Sequence, residues 1–264
     1  MSNVRCHENM IDEQIREWLL KTGFPLEMEV ASAFRKGGFD VRQSATYPDP
    51  QEGKSREIDV LANDQDLWGI IEIAFVVECK SSSKPWIVLT SPDARERHNL
   101  RAEFSICSED ARDSLARRPE EFPNVWKYVD KPAKTGYGFR QAFGAESDQA
   151  YAAAVNVVKA CQGITRSRHV GGLPRLAFAF PVIVVKAPLF ECSLSSKGEI
   201  ELVEVQSSEF LFSAHIPHKV GCSIAVVRHD AVPAFVASSK LMTAALRSDL
   251  ELEEERLLAK GRTQ

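Results

Sequence analysis

The stretch Gly69 to Lys80, GIIEIAFVVECK, constrains this chain more than any other. Its Ile and Val content predicts a long strand sunk in the core, where an unpaired charge is costly. Glu78 and Lys80 nevertheless follow the apolar residues Ile73 to Val77 without a break. Side chains at i and i+2 of a strand share a face, so Glu78 and Lys80 stand side by side while Cys79 points into the opposite layer. The strand before it, Glu57 to Ala62, is separated by the turn-like NDQD. Pairing the two as an antiparallel hairpin brings Asp59 opposite Glu78. By the same alternation Glu57 and Asp59 share one face of the earlier strand, and Ile58 and Val60 the other.

The rest of the chain supplies a setting for that hairpin. With 264 residues, 44% of them hydrophobic, a sizeable core is available. The net charge of -4 argues against a surface that binds nucleic acid everywhere and leaves room for a local basic face. Six scattered cysteines with no CxxC pair and no His at ligand spacing predict reduced thiols rather than a zinc site or disulfide framework. No apolar run reaches the roughly 20 residues needed to cross a bilayer, and the N-terminus lacks a signal-peptide core. The expectation is a cytoplasmic protein with no membrane partner.

Helical spacing of Ile11, Ile15, Trp18 and then Met28, Ala31, Phe34 predicts two helices divided at Gly23 and Pro25, the second capped by Gly37-Gly38. FDVRQSATY alternates like a strand, and YPDPQEGK is turn chemistry. A helix is expected over residues 147–163, closed by Gly163. Strands are expected at Leu176 to Cys192, Glu199 to Val205, Glu209 to Ala214 and Cys222 to Val227. A final helix begins near Asp230 and carries its acidic run on a solvated face. Residues 87–144 mix charge, proline and short amphipathic pieces and read as an insertion of short helices and loops. The fold expected is α/β with a mixed sheet flanked by helices and extra C-terminal strands. It is one domain over 1–264, with a core at about 24–86 and 147–230 and a closing helix at about 231–260.

Two carboxylates converging at a sheet edge suit a hard divalent cation such as Mg²⁺, which prefers oxygen ligands and keeps waters that a phosphate can replace. A Lys beside them can orient or deprotonate water, or stabilise charge on a phosphorane-like transition state. In order of occurrence, FPLEMEVASAFRKGGFDV, REIDVLA and VVECKSSSKPW resemble the helix Glu, strand Asp and Glu-x-Lys of the PD-(D/E)xK, or restriction-endonuclease-like, nucleases. Ile58 stands where the motif's proline would be.

The resemblance implies Asp59 and Glu78 as ligands of Mg²⁺, with Mn²⁺ as a substitute, the backbone carbonyl of Cys79 as a further ligand, and Lys80 as the catalytic lysine. It matches Glu27 to the helical acid that helps hold metal or water. Glu29 is the rival, about 200° round the helix, so only one of them can face the site. The activity implied is phosphodiester hydrolysis, with DNA favoured and a role in bacterial defence. The sequence shows no helix-turn-helix, zinc finger or other recognition module, so gating by a regulatory partner or a homo-oligomer is expected.

Other readings stand beside these. Glu78 and Lys80 also fit a strand end or a structural ion pair, and Glu57 fits a surface residue or a partner for Arg56. Ser81, Ser82 and Lys84 can hold a DNA phosphate or form a plain polar loop. Trp86 reads as core, His98 as part of a solvated helix face, His215 and His218 as loop residues, and Gly171-Gly172 as a turn. For the whole chain the alternatives are a catalytically silent nucleic-acid-binding or assembly subunit, and a Mg²⁺-dependent phosphatase or nucleotide hydrolase with a closed pocket.

Overall fold

A computed structural model describes residues 2–66, 69–96, 98–129, 135–144, 149–166 and 175–261. Helices α1 (Ser2–Leu20) and α2 (Phe24–Lys36) come first, with Pro25 in the opening turn of α2, where a missing amide costs nothing. Gly37 closes α2 and Gly38 follows at φ +81°, the left-handed geometry a glycine cap provides. An antiparallel meander follows: β1 (Asp40–Pro48), β2 (Ser55–Gln65) and β3 (Ile71–Lys80).

Residues 87–144 are woven into the sheet. They contribute most of β4 (Trp86–Ser91), then α3 (Leu100–Glu103), β5 (Ile106–Cys107), α4 (Glu109–Arg117), α5 (Pro123–Val129) and β6 (Thr135–Gln141). Next come α6 (Gln149–Thr165) and β7 (Leu176–Val185), and then β8 (Leu189–Leu194), β9 (Ile200–Val205), β10 (Ser207–His215) and β11 (Lys219–Arg228). The chain closes with α7 (Val232–Gly261). The expected strand over Leu176 to Cys192 is therefore two, broken at Pro188, which has no amide to give a ladder. Gly171-Gly172 and the start of the expected helix at Ser147 lie outside the described residues.

Among the described residues eleven strands form one mixed sheet, ordered β1-β2-β3-β7-β11-β10-β6-β4-β8-β9, with β5 beside β7. β3 runs antiparallel to β2 and parallel to β7 and is covered on both faces, which explains its nearly continuous apolar run. Ile73, Phe75, Val77 and Cys79 pack in the layer that holds α2 and α7, while Ala74 and Val76 pack in the layer that holds α6. Gln206 alone joins β9 to β10, although three strands separate them in the sheet, so this half of the sheet must curl back on itself. The Arg228 amide donates to the Gln206 carbonyl, and its guanidinium reaches Glu204 at 2.5 Å across the seam.

The acidic run of α7 is only partly solvated. Asp249 is buried and accepts from the amides of Asn124 and Val125, closing the open N-terminus of α5. Lys240 and Arg247 both reach Asp64, fastening α7 to β2. Cys79, Cys107, Cys161 and Cys222 are buried free thiols and Cys192 is half-buried. Among the described residues no helix is long and apolar enough to cross a membrane.

Candidate active site

The β2–β3 ladder runs in register as far as Val60 opposite Val77, and one more step sets Asp59 opposite Glu78. The next rung would pair Ile58 with Cys79. Instead the Cys79 amide donates to Asp59 Oδ2 at 2.7 Å. Lys80 gives its carbonyl to the Lys186 amide on the β7 side, so by strand alternation the Cys79 amide and carbonyl both face the β2 side. The Cys79 carbonyl thus opens toward Asp59, where the two strands part.

Asp59 also sits where the β1–β2 ribbon turns over. The two strands share one register on either side of Ser44 but do not pair at Ser44 itself, which lies opposite Asp59 and has φ +52°. Val60 and Ala62 pack with α2 and α7, whereas Ile58 packs in the layer of α6. Ile58 and Val60 therefore do not share a face, because the left-handed residue beside Asp59 breaks the alternation on which that expectation rested.

Past this point the hairpin folds onto α6. A Cβ at Gly163 would lie 2.6 Å from the Tyr47 ring, so a glycine is needed for this approach, and the helix runs on to Thr165 instead of ending there. The Asp49 side chain is 0% exposed. It accepts from Arg56 Nε at 2.6 Å, Lys159 Nζ at 3.2 Å and the amides of Gln51 and Glu52. Burial pushes the Asp49 carboxyl up, but the two amides and the Lys159 ammonium outweigh it and hold the group at about 2. Arg56 is thus spent on Asp49 and Glu52, while Glu57 is exposed.

The proposed catalytic groups have the opposite balance. Lys80 Nζ donates to Glu78 Oε1 at 2.6 Å, so these two side chains do share a face. Asp59 is pushed up to about 7, first by burial and then by repulsion from Glu78 and Glu27, against the lowering effects of the Cys79 amide and Lys80. Glu27, half-buried in the first turn of α2, is raised by burial and by Glu57 and Glu78, with Lys80 opposing. Glu29 is exposed. Glu27, Asp59 and Glu78 therefore feel one another around a single ammonium.

The loop that follows is exposed at Ser81, Ser83 and Lys84. Ser82 Oγ accepts from the Lys84 amide at 3.0 Å and from Gln141 Nε2 at 2.8 Å, which ties the loop to β6 and leaves the hydroxyl proton to donate. Trp86 is fully buried, stacked on Phe139 at 5.1 Å. His98 is not on a solvated helix face: its Nδ1 meets Glu103 Oε2 at 2.6 Å just ahead of α3. His215 ends β10 and His218 lies in the turn before β11.

Among the described residues no three His, Cys, Asp or Glu side chains form a ready-made metal cage. The donors here are two opposed carboxylates and a main-chain oxygen, and Mg²⁺ is commonly held by one or two carboxylates with water completing its shell. The excess of negative charge around Asp59 fits such an ion. The Asp49, Arg56 and Lys159 cluster escaped the sequence reading, although Lys159 is the one charged residue in α6, a helix whose other side chains are apolar, small or neutral. No family model, curated protein or solved structure matches this chain.

Proposed function

We propose that this chain is a metal-dependent nuclease that hydrolyses phosphodiester bonds, with DNA as the favoured polymer, built on a restriction-endonuclease-like core. The observation that carries this reading is the Asp59 carboxyl, opposed to Glu78 and raised to about 7 by burial and neighbouring acids in a group with one ammonium. The order α2, meander, α6 and a strand parallel to β3 supports the assignment of the core.

A Mg²⁺ or Mn²⁺ ion held by Asp59, Glu78 and the Cys79 carbonyl, with Glu27 close by, would polarise a phosphoryl oxygen and make bound water more acidic. Lys80 presents its ammonium beside Glu78, where it can steady the charge that grows on the transferring phosphoryl group. Glu27, whose affinity for protons is raised, can take one from a water at the N-terminal end of α2. Ser81, Ser82 and Lys84 follow directly on β3 and can hold the phosphates that flank the scissile bond.

The test is incubation of the purified protein with supercoiled plasmid, linear duplex, single-stranded DNA and RNA, in Mg²⁺, Mn²⁺ or EDTA. Cleavage that needs the metal and is lost in Lys80→Ala is expected. Cleavage by Lys80→Ala at the wild-type rate refutes the proposal. Hydrolysis of free nucleotides without polymers points to a phosphatase, and metal-independent nucleic-acid binding without turnover points to a silent subunit.

A further inference from the structure

A second feature lies in the layer of α7, lined by none of Glu27, Asp59, Glu78 and Lys80. A cavity of about 490 Å³ is floored by β3, β7, β11 and β10 and walled by α7 on one side and by α3 and α5 on the other. Its volume is in the range of pockets that enclose drug-sized molecules. Across it runs a chain of four rings: Phe104 lies 5.8 Å from Phe180, Phe180 stacks on Phe75 at 5.1 Å, and Phe75 meets Phe235 edge-on at 6.4 Å. Such a floor takes a flat apolar body.

Among the described residues the polar groups of the cavity are uneven in charge: Glu191 and Glu209 both line it, against one cation, Arg95, whose Nη2 is engaged with the Val129 carbonyl at 3.1 Å. Glu191 accepts one hydrogen bond, from Ser208 at 2.7 Å, while the Glu209 carboxylate has no side-chain partner among the described residues. Ser239, on the α7 wall, is only 5% exposed and brings a hydroxyl to the cavity lining.

We propose that this cavity binds a small aromatic molecule bearing a protonated amine. The rings hold its flat body, Glu209 with Glu191 pairs with the ammonium, and the Ser239 hydroxyl makes the remaining hydrogen bond. The inference does not depend on the nuclease reading, because none of these residues belongs to the Asp59 site.

Fluorescence titration of the full chain with dansylcadaverine, a dansyl ring system carrying a primary amine, tests the proposal, with uncharged dansylamide as the comparison. Saturable one-to-one binding is expected for the amine, at least about tenfold tighter than for dansylamide, because a charge-assisted bond is lost with the amine. Glu209→Gln should bring the two probes to within about threefold of each other. Ala234→Trp, at the exposed rim of the cavity, should block both while leaving the thermal melt in place. Absence of saturable binding, equal affinity for the two probes, or full binding by folded Ala234→Trp would overturn the proposal.

Discussion

Asp49 and Asp59 lie ten positions apart on one hairpin, and their carboxyls are driven in opposite directions. Both lose water on folding. Asp49 recovers two amides and two cationic side chains and is held at about 2, whereas Asp59 recovers one amide and faces two other acids, ending at about 7. The first is a finished structural contact that clamps the hairpin tip to α6. The second is left short of positive charge, and in the proposed function a cation makes up that shortage. Burial alone does not decide which way a carboxyl shifts; the balance of its partners does.

Breaking the clamp should have the largest effect. Lys159→Met leaves Asp49 buried with Arg56 as its remaining cationic partner and should lower stability by about 3 to 5 kcal/mol, measured by chemical denaturation. If stability falls by less than about 1 kcal/mol, the Asp49 cluster does not clamp the hairpin to α6. Asp59→Asn tests the other half. It should reduce metal-dependent cleavage by at least about 100-fold, or about 2.7 kcal/mol in the barrier, while making the metal-free protein more stable at pH 8.

The two acids should also oppose each other in their pH dependence. In the unfolded chain both titrate near pH 4. Folded Asp59 keeps its proton up to about 7, so the unfolded state releases protons first and stability falls as pH rises from about 4 to about 7. Folded Asp49 stays ionised down to about 2, so its contribution is complete above about 4 and is lost as pH falls toward 2. Denaturation curves should lose the first slope in Asp59→Asn and the second in Asp49→Asn. The smallest effect is expected on the rung opposite Asp59: Ser44→Gly removes the cost of a left-handed side chain, partly offset by backbone entropy, and should raise stability by about 0.5 kcal/mol.

Much of the Asp59 side of this comparison was readable before any coordinates. Period-two alternation places Glu78 beside Lys80, and a hairpin between neighbouring strands places Asp59 across from them, because both relations are local in sequence. The Asp49 side was not readable in the same way. Its partner Lys159 is 110 positions away, and nothing in YPDPQEGK says that the turn will fold onto a distant helix. The turnover at Ser44 was hidden too, since serine carries no strong signal for a positive φ. In residues 87–144 the strands are short and take their partners from strands far along the chain, so periodicity offered little there.

The pairing of β3 sets a timetable for assembly. On one side β3 meets β2, its neighbour in sequence, and on the other it meets β7, about a hundred residues further along. During synthesis the β2–β3 hairpin can form early, but Glu78 and Lys80 keep an open flank until residues as far as Val185 have left the ribosome, and such distant pairings form slowly. The acids reach this spacing only once the chain has grown past Val185, so a shorter product carries the same residues without their arrangement.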